Sequence, residues 1–417
     1  MNTLLLVQLV AILVTARLLS LLLLRFGQPA VIGEMIAGIA LGPLLLGQLA
    51  PGLQAQLFPP QSLPALAGIS QIGLVLFMFI VGAELRLPTG LRAQMSASFR
   101  IGGLAMLLPF LLGLAMAPWL HPTLAPRGVT LLPFALFIAT AIAITAFPIM
   151  ARILKEKGLA GSAVGVLSLT SAAFADVVAW ILLALVVALI SADGGWGGFA
   201  RTALGLVLLS VVAFALVRPA IAALLRRHAD DGRPDGTVLT LLLIATFAFA
   251  ALTNWLQLHE VFGAFLFGAC LPRDDTLLDT LVERLEHVSV LVLMPVFFAL
   301  AGLNTSPEAF AGLGLSAMAL ILLLAIVGKV LGGAAGARLS GMGWRDAFAI
   351  GTLMNTRGLM ELIVLKVGLD VGVIGKELFT MLALMAVITT LMTSPLLDLL
   401  ARGARAGAAG EGKVHSV

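Results

Sequence analysis

The chain has 417 residues, of which 60% are hydrophobic and 11% are charged, and its mean hydropathy is +1.11. Soluble domains carry about 25% charged residues, so this composition excludes a soluble domain and indicates a polytopic membrane protein. The net charge of +4 comes from basic residues placed mainly in short loops, which membrane topology explains without nucleic-acid binding. One cysteine and five histidines, without metal-ligand spacing, exclude a disulfide framework and the common metal motifs, and no cofactor is predicted.

Thirteen apolar segments follow one another, each near the ~20 residues that a helix needs to span a bilayer. We predict an all-α protein with spans at 4–24, 30–50, 68–86, 99–120, 129–150, 162–191, 198–224, 236–256, 258–272, 287–304, 311–337, 346–367 and 377–400. They are numbered here as segments 1 to 13. Residues 1–400 therefore form one membrane domain, and 401–417 a short tail.

The basic residues of the loops predict the orientation, because Lys and Arg stay on the cytoplasmic side. The loops after odd-numbered segments, with the tail, contain seventeen: Arg25, Arg86, Arg92, Arg100, Arg152, Lys155, Lys157, Arg226, Arg227, Arg233, Arg273, Arg284, Arg338, Arg345, Arg402, Arg405 and Lys413. The loops after even-numbered segments contain three: Arg127, Arg201 and Lys376. We expect an external N-terminus and a cytoplasmic C-terminus.

An internal repeat is suggested by short matches seven segments apart. AGIALGPLLLG in segment 2 matches GAFLFGACLP in segment 9, and LVLFMFIVGAEL in segment 3 matches LMPVFFALAGLN in segment 10. An odd offset inverts the topology, so segments 1–6 and 8–13 are predicted to be two inverted repeats joined by segment 7.

The same offset pairs segments 5 and 12, and both carry helix-breaking residues. Segment 5 contains Pro148 just after Thr145, and segment 12 contains Gly351, Gly358 and the polar run Asn355-Thr356-Arg357. Matching broken helices in two halves are the sequence pointer to a transporter's binding site. We therefore expect the two broken helices to cross there.

Asp176, in segment 6, is the leading candidate for the residue that binds the transported ion. A charge at membrane depth costs at least a few kcal/mol, so it rarely lies there without a function. A lone carboxylate binds either a small cation or a proton. Neutral oxygens are offered by Thr145, next to the break, and by Ser171 in the same segment, with Ser168 and Thr170 nearby. The alternative is a kinked helix and a buried Asp with a structural partner, and serines and threonines that bond within their own helix.

Three further charges inside the predicted spans are candidates for the site or the helix crossing. Lys329, in segment 11, is interpreted as a buried counter-charge near the cation site, with snorkelling to the interface as the alternative. Arg357 and Glu361 are four residues apart and share one helix face. We assign them, with Pro148 and Asn355, a structural role at the helix crossing.

Eight stretches between about residue 30 and 375 form a recognisable set of motifs: VIGEMIAGIALGP, FMFIVGAEL, ITAFPIMARILKEKGL, SAAFADVVAWILLALVVAL, HEVFGAFLFGACLP, FFALAGL, GKVLGG and NTRGLMELIVLKVGLDVGVI. Through them the chain resembles the membrane domain of the monovalent cation/proton antiporters, in the branch of Kef-type potassium efflux systems and plant cation/proton exchangers. The resemblance implies a sodium/proton antiporter fold. It also implies a homodimer, with segments 1–3 and 8–10 forming the dimerisation part and segments 4–6 and 11–13 a core that moves like an elevator.

The resemblance also implies roles for three residues: Asp176 as the ion- and proton-binding acid, Thr145 as a residue of the unwound stretch, and Lys329 as the basic residue of the core. The sequence departs from the family at Ala175, where members usually carry Asn, Asp or Gln. A single acid favours electroneutral one-for-one exchange, and the missing ligand points to altered ion selectivity.

The sequence therefore predicts a secondary antiporter, not an enzyme, that exchanges a monovalent cation (K⁺ or Na⁺) for H⁺ in a bacterial-type cytoplasmic membrane. Its partners are the cation, the proton, membrane lipids, a second copy of the chain and, as an option, a separate cytoplasmic regulatory subunit. Two alternatives stay open: a carrier of another substrate, such as an organic ion or a Na⁺-coupled symporter, and a ligand-gated K⁺ efflux pathway. A membrane scaffold or an intramembrane enzyme is disfavoured, because no catalytic set of residues is visible.

Overall fold

The computed structural model describes the backbone of residues 2–84, 92–190, 196–230, 233–234, 236–256, 258–272 and 282–411. Within these ranges the chain is helical apart from its connections and one antiparallel pair of two-residue strands, Ala229–Asp230 and Arg233–Pro234. The predicted segment ends at 85–86 and 191, and the basic residues at 86, 273 and 413, lie outside the described residues.

Where the structure describes it, the first half of the chain forms eleven α-helices. They are Asn2–Leu24 (α1), Ala30–Leu41 (α2), Leu46–Leu49 (α3), Pro51–Leu57 (α4), Leu63–Glu84 (α5), Arg92–Leu124 (α6), Leu131–Ala143 (α7), Phe147–Glu156 (α8), Ala163–Ile190 (α9), Trp196–Val212 (α10) and Arg218–His228 (α11). A 3₁₀ turn, Pro60–Ser62, precedes α5, and a π-helical stretch, Ala213–Val217, joins α10 to α11.

In the described ranges, the second half of the chain contributes seven α-helices. They are Gly236–Trp255 (α12), Glu260–Cys270 (α13), Met294–Leu303 (α14), Gly314–Leu339 (α15), Trp344–Met354 (α16), Leu359–Asp370 (α17) and Lys376–Glu411 (α18). Two π-helical stretches, Val282–Glu286 and Ser289–Leu293, lead into α14, and a 3₁₀ turn, Pro307–Phe310, precedes α15. Because α18 continues to Glu411, the backbone is helical through much of the predicted tail.

Eleven helical stretches in the described ranges are long and apolar enough to cross a bilayer. Counting the bent pair α16 and α17 as one further span brings the number to twelve. Helix α13 is apolar too, but it has only 11 residues. The polytopic all-α architecture is confirmed, whereas the thirteen spans and the inverted repeats stay predictions.

The chain divides into two compact units. The first comprises Met1–Leu18, Glu34–Arg86 and Trp180–Ser306, and the second comprises Leu19–Gly33, Leu87–Ala179 and Pro307–Val417. Within the first unit, α2 and α14 touch backbone to backbone, since a Cβ on Gly38 would lie 2.0 Å from the Phe298 carbonyl oxygen. Small residues allow such close approach of membrane helices.

Helix packing in the second unit depends on glycine in the same way. A Cβ on Gly102, in α6, would lie 2.7 Å from the backbone oxygen of Ser171 in α9, and one on Gly351, in α16, would lie 2.3 Å from the Val330 oxygen in α15. Gly351 therefore lies inside α16, and the break that the sequence placed there begins only at Asn355. Gly351 instead allows α15 and α16 to approach each other closely.

Candidate functional site

The first helix break lies between α7 and α8. Helix α7 ends at Ala143, residues 144–146 are not helical, and α8 begins at Phe147 with Pro148 in its first turn. Proline fits the first turn of a helix because its fixed φ is close to the helical value. The N–H that it lacks would have no partner within the helix at that position. The chain is thus interrupted at Thr145, next to Pro148, inside an otherwise apolar span.

The second break lies between α16 and α17, whose axes differ by 43°. Helix α16 ends at Met354 and α17 begins at Leu359. Gly358 has φ 148° and ψ −121°, a backbone conformation that residues other than glycine rarely adopt. This glycine lets the chain change direction between the two half-helices.

The two breaks contact each other through consecutive residues. The Thr145 hydroxyl donates to the Met354 carbonyl at 3.2 Å, and the Ala146 N–H donates to the Thr356 carbonyl at 2.9 Å. The next amide along the chain, that of Phe147, lies within interaction range of the Asp176 carboxylate of α9. The N-terminus of a half-helix, where backbone N–H groups are free, therefore faces the intramembrane acid.

The last carbonyl groups of α7 are covered by two cationic side chains. The Arg357 guanidinium donates to the Ala141 carbonyl at 3.1 Å and to that of Ile142. The Lys329 ammonium donates to the Ala143 carbonyl and, at 2.6 Å, to the Thr145 hydroxyl oxygen. The carbonyl end of a helix is its negative pole, so these cations stabilise the interrupted helix.

Arg357 is also paired with Glu361, Nη1 to Oε2 at 3.2 Å, and both side chains have 0% exposure. The Thr390 hydroxyl of α18 accepts from the Arg357 N–H at 2.8 Å and donates to the Arg357 carbonyl at 2.6 Å. The break is therefore held by an ion pair on one side and by a single hydroxyl on the other.

Asp176 is 3% exposed, and its Oδ1 atom has no hydrogen-bond partner among the described residues. Lys329 lies within electrostatic range of the Asp176 carboxylate, but the two side chains do not form an ion pair in the described part of the chain. The preceding residue, Ala175, is buried and offers no polar atom. One carboxylate oxygen is thus left for a proton or a cation.

The hydroxyl groups of α9 differ in their bonding. Ser171 donates to the Leu167 carbonyl of its own helix at 2.6 Å, and Thr170 lies 2.5 Å from the Ser98 hydroxyl. Ser168 is fully buried, and its hydroxyl has no partner in the described part of the chain. Ser171 therefore uses its proton inside its own helix, which is the alternative that the sequence left open.

The structure brings most of the predicted residues to one crossing. Thr145, Lys329, Arg357 and Glu361 are linked there by the hydrogen bonds given above, with Pro148 in the first turn of α8 and Asn355 at the end of α16. Sequence reasoning missed the brace from Thr390 and the three capped carbonyls of α7. In the described ranges, no group of three His, Cys, Asp or Glu residues is placed to hold a metal ion.

A family model described as "Sodium/hydrogen exchanger, transmembrane" matches residues 10–399. The chain is 41% identical to the Na(+)/H(+) antiporter NhaS4 of Synechocystis sp., covering 95% of this chain and 97% of that protein. It is 37% identical to Cation/H(+) antiporter 19 of Arabidopsis thaliana, covering 97% of this chain and 50% of that protein. It is 33% identical to K(+)/H(+) antiporter 1 of Saccharomyces cerevisiae, covering 95% and 46%.

The chain thus spans nearly all of the first relative and about half the length of the other two. Among solved structures, it is similar to the sodium proton antiporter MjNhaP1 from Methanocaldococcus jannaschii, with a TM-score of 0.67, 15% identity and coverage of 94% of this chain and 96% of that one. That likeness shows the fold alone. Together these matches confirm the resemblance to cation/proton antiporters that the motifs indicated, and the relatives are transporters rather than enzymes.

Proposed function

Because the chain belongs to the transmembrane sodium/hydrogen exchanger family, we propose that it is a secondary antiporter that exchanges a monovalent cation, K⁺ or Na⁺, for H⁺. The observation that carries this proposal is the buried Asp176 carboxylate. One of its oxygens is unpartnered within the described residues, and the N-terminus of a half-helix lies within interaction range of the carboxylate. A buried carboxylate of this kind needs either a proton or a cation, which is the choice that an exchanger has to make.

In this scheme Asp176 carries the cation in one direction and the proton in the other. Each occupant neutralises the carboxylate directly and so lowers the cost of its charge at membrane depth, which favours the loaded forms over the empty one. Loading by one ion excludes the other, and this competition couples the two fluxes. Ser171 and Thr145 are assigned to the ion site from the sequence. Ser171 lies five residues before Asp176 in α9, and Thr145 lies two residues before Phe147, whose amide faces the carboxylate.

Lys329 compensates charge in this proposal. Its ammonium is fully buried, held by the Ala143 carbonyl and the Thr145 hydroxyl, and within electrostatic range of Asp176. When the site is empty, the lysine balances the ionised carboxylate without occupying its free oxygen.

The stoichiometry that we propose is one for one. Glu361 is already neutralised by Arg357 at 3.2 Å, so Asp176 is the single acid of the crossing that can accept a transported charge. One carboxylate neutralises one monovalent cation or one proton. With Ala175 in place of a second polar residue, exchange is electroneutral.

The wider architecture that we propose has thirteen spans in two inverted repeats, with an external N-terminus and a cytoplasmic C-terminus. Segments 4–6 and 11–13 form the moving core, and segments 1–3 and 8–10 form the dimerisation part of a homodimer in a bacterial-type cytoplasmic membrane. Support for a core that moves as one body comes from the compact units, since every candidate site residue belongs to the second one.

The experiment that tests the function measures proton movement in proteoliposomes with an imposed pH gradient. Na⁺, K⁺, Rb⁺ and Li⁺ are added in turn, and the Asp176→Asn variant is measured beside the wild type. Asp398→Asn is the matched control, because this half-exposed carboxylate pairs with Lys157 away from the crossing. We expect one cation or more to dissipate the gradient with the wild type and the control, and none with Asp176→Asn.

Each other outcome selects a different function. Exchange by Asp176→Asn at the wild-type rate overturns the role of the acid. Current without a proton gradient indicates the efflux pathway. A gradient that no alkali cation dissipates indicates a carrier of another substrate.

A further inference from the structure

The second helix break contains buried polar atoms without partners. Both amide atoms of Asn355 and the hydroxyl of Thr356 lack a hydrogen bond to any residue that the structure describes, and both side chains have 0% exposure. Buried polar side chains nearly always find a partner, because an unpaired amide or hydroxyl costs about 1–3 kcal/mol. Two adjacent residues that leave three such atoms unpaired therefore call for a water or an ion.

The backbone of this second break is linked to the neighbourhood of Asp176 through the contacts of the crossing. The carbonyl groups of residues 354 and 356 accept from Thr145 and Ala146, and the following amide, at Phe147, lies within interaction range of the Asp176 carboxylate. Two successive peptide groups of the first break thus join the Asn355–Thr356 pair to the acid. The acid itself has an unpartnered Oδ1 within the described ranges.

We propose that the Asn355 amide oxygen and the Thr356 hydroxyl oxygen are ligands of the transported cation, together with the Asp176 carboxylate. The proposal rests on the proposed function and deepens it. Alkali cations are bound by sets of oxygen atoms whose number and field strength set the selectivity. Since Ala175 brings no oxygen beside the acid, the neutral ligands come from the break between α16 and α17 instead.

This assignment changes the role of Asn355 from structural to substrate-binding. A structural amide would use its two donors and its acceptor on neighbouring groups, as Asn304 does when its side-chain nitrogen donates to the Leu300 carbonyl at 2.9 Å. The backbone N–H of Asn355 already closes the end of α16 by donating to Gly351 and Thr352. Its side chain is therefore not needed to end the helix.

The test measures cation-dependent proton movement in proteoliposomes of the full chain, with Na⁺ and K⁺ varied separately. The variants are Asn355→Ala and Thr356→Val, with Thr356→Ser as the conservative variant. The controls are Asn304→Ala, which removes a satisfied amide, and Thr389→Val, which removes a fully buried hydroxyl that bonds within its own helix. Thermal unfolding in detergent with and without each cation gives a binding readout that does not need transport.

We expect Asn355→Ala and Thr356→Val to raise the half-saturating cation concentration about tenfold or more, as expected for the loss of one interaction with a charged group. They should also change the Na⁺ to K⁺ ratio and reduce the stabilisation that the cation gives. Thr356→Ser should restore the affinity, and both controls should stay within about twofold of the wild type.

Two results overturn the inference. One is a lower maximal rate with unchanged half-saturating concentrations and unchanged stabilisation by cations, which is the signature of a purely structural role. The other is stabilisation of the variants by the cation that is as large as the stabilisation of the wild type. If the wild type moves no protons with any alkali cation, the proposed function fails. If the wild type exchanges and the variants keep its affinity, only the assignment of these ligands fails.

Discussion

Arg357 and Thr390 are joined twice, because the Thr390 hydroxyl accepts from the Arg357 N–H at 2.8 Å and donates to the Arg357 carbonyl at 2.6 Å. A single side chain of α18 thereby satisfies both backbone groups of a residue that has left the helix. Buried backbone groups without such partners are costly, and in lipid they are found only where protein or a cavity satisfies them. Thr390 is thus part of what allows the second break to exist.

The first prediction concerns this brace. Thr390→Val keeps the shape of the side chain and removes both hydrogen bonds, so we expect a loss of about 1–3 kcal/mol in the free energy of unfolding for each backbone group left unpaired. Thermal unfolding in detergent measures it. Thr393→Val is the control, because that hydroxyl bonds to the Thr389 carbonyl of its own helix. Equal midpoints for the two variants would contradict the brace.

The second prediction separates the charge of Lys329 from its hydrogen bonds. Lys329→Met leaves the Ala143 carbonyl and the Thr145 hydroxyl without their donor, whereas Lys329→Gln retains a donor of similar length and no charge. We expect Lys329→Met to be the less stable variant in detergent. Both should exchange more slowly than the wild type in proteoliposomes, because both lack the counter-charge of Asp176. Wild-type exchange by Lys329→Gln would show that the hydrogen bonds alone matter.

The third prediction concerns the buried pair of Arg357 and Glu361. Glu361→Gln leaves the guanidinium without its counter-charge, and breaking one partner of a buried pair costs about 3–5 kcal/mol. Arg357→Met should cost more, since it also uncaps the Ala141 and Ile142 carbonyls. Unfolding midpoints of the two single variants measure the difference.

The double variant, Arg357→Met with Glu361→Leu, extends this test. If the arginine served only the glutamate, replacing both by apolar residues would restore stability. We expect no restoration, because the carbonyls of α7 stay uncapped. A double variant as stable as the wild type would refute the capping role.

The fourth prediction uses two neighbouring glycines of α6. A Cβ at Gly102 would lie 2.7 Å from the Ser171 backbone oxygen in α9, whereas a Cβ at Gly103 would have no atom within 4 Å. Gly102→Ala should separate α6 from the helix that carries Asp176, and should cost about 1–3 kcal/mol as overpacking does. Gly103→Ala should be neutral or stabilising by up to about 1 kcal/mol, the gain in helix propensity.

Expression level, unfolding midpoint and exchange rate, measured for both glycine variants, check this prediction. Loss of exchange in Gly103→Ala would contradict it. Reversal of the order of stability would show that α6 and α9 do not approach as closely as the structure has them.

Several features of the site are legible in the sequence because they violate the rules of an apolar span. Asp176 is a charged residue within an apolar membrane span, and Pro148 lacks the backbone N–H that a helix interior uses. The spacing of Arg357 and Glu361 puts both on one helix face. Each of these signals needs only the local sequence and the cost of polar groups in a membrane. They indicate a polar crossing but not which atoms meet in it.

The remaining features depend on tertiary contacts that single letters do not encode. Threonine is common in spanning helices and usually bonds within its own helix, so nothing in the sequence distinguishes Thr390 from Thr389. In the sequence Ser171 looks as good a ligand as Ser168, yet of these two serines it is the Ser168 hydroxyl that lacks a partner in the described structure. The backbone carbonyls of α7 carry no side-chain signature at all, and the sequence misread Gly351 as part of the break.

The length of α18 has a practical consequence for studying the protein. Its 36 residues extend about 54 Å at ~1.5 Å per residue, whereas a bilayer's hydrocarbon core is ~30 Å thick. A reporter fused directly behind Glu411 would be mechanically continuous with the helix that carries Thr390. A force on the reporter would be transmitted along α18 to Thr390. Fluorescent or affinity tags behind Glu411 should therefore be separated from α18 by a flexible linker.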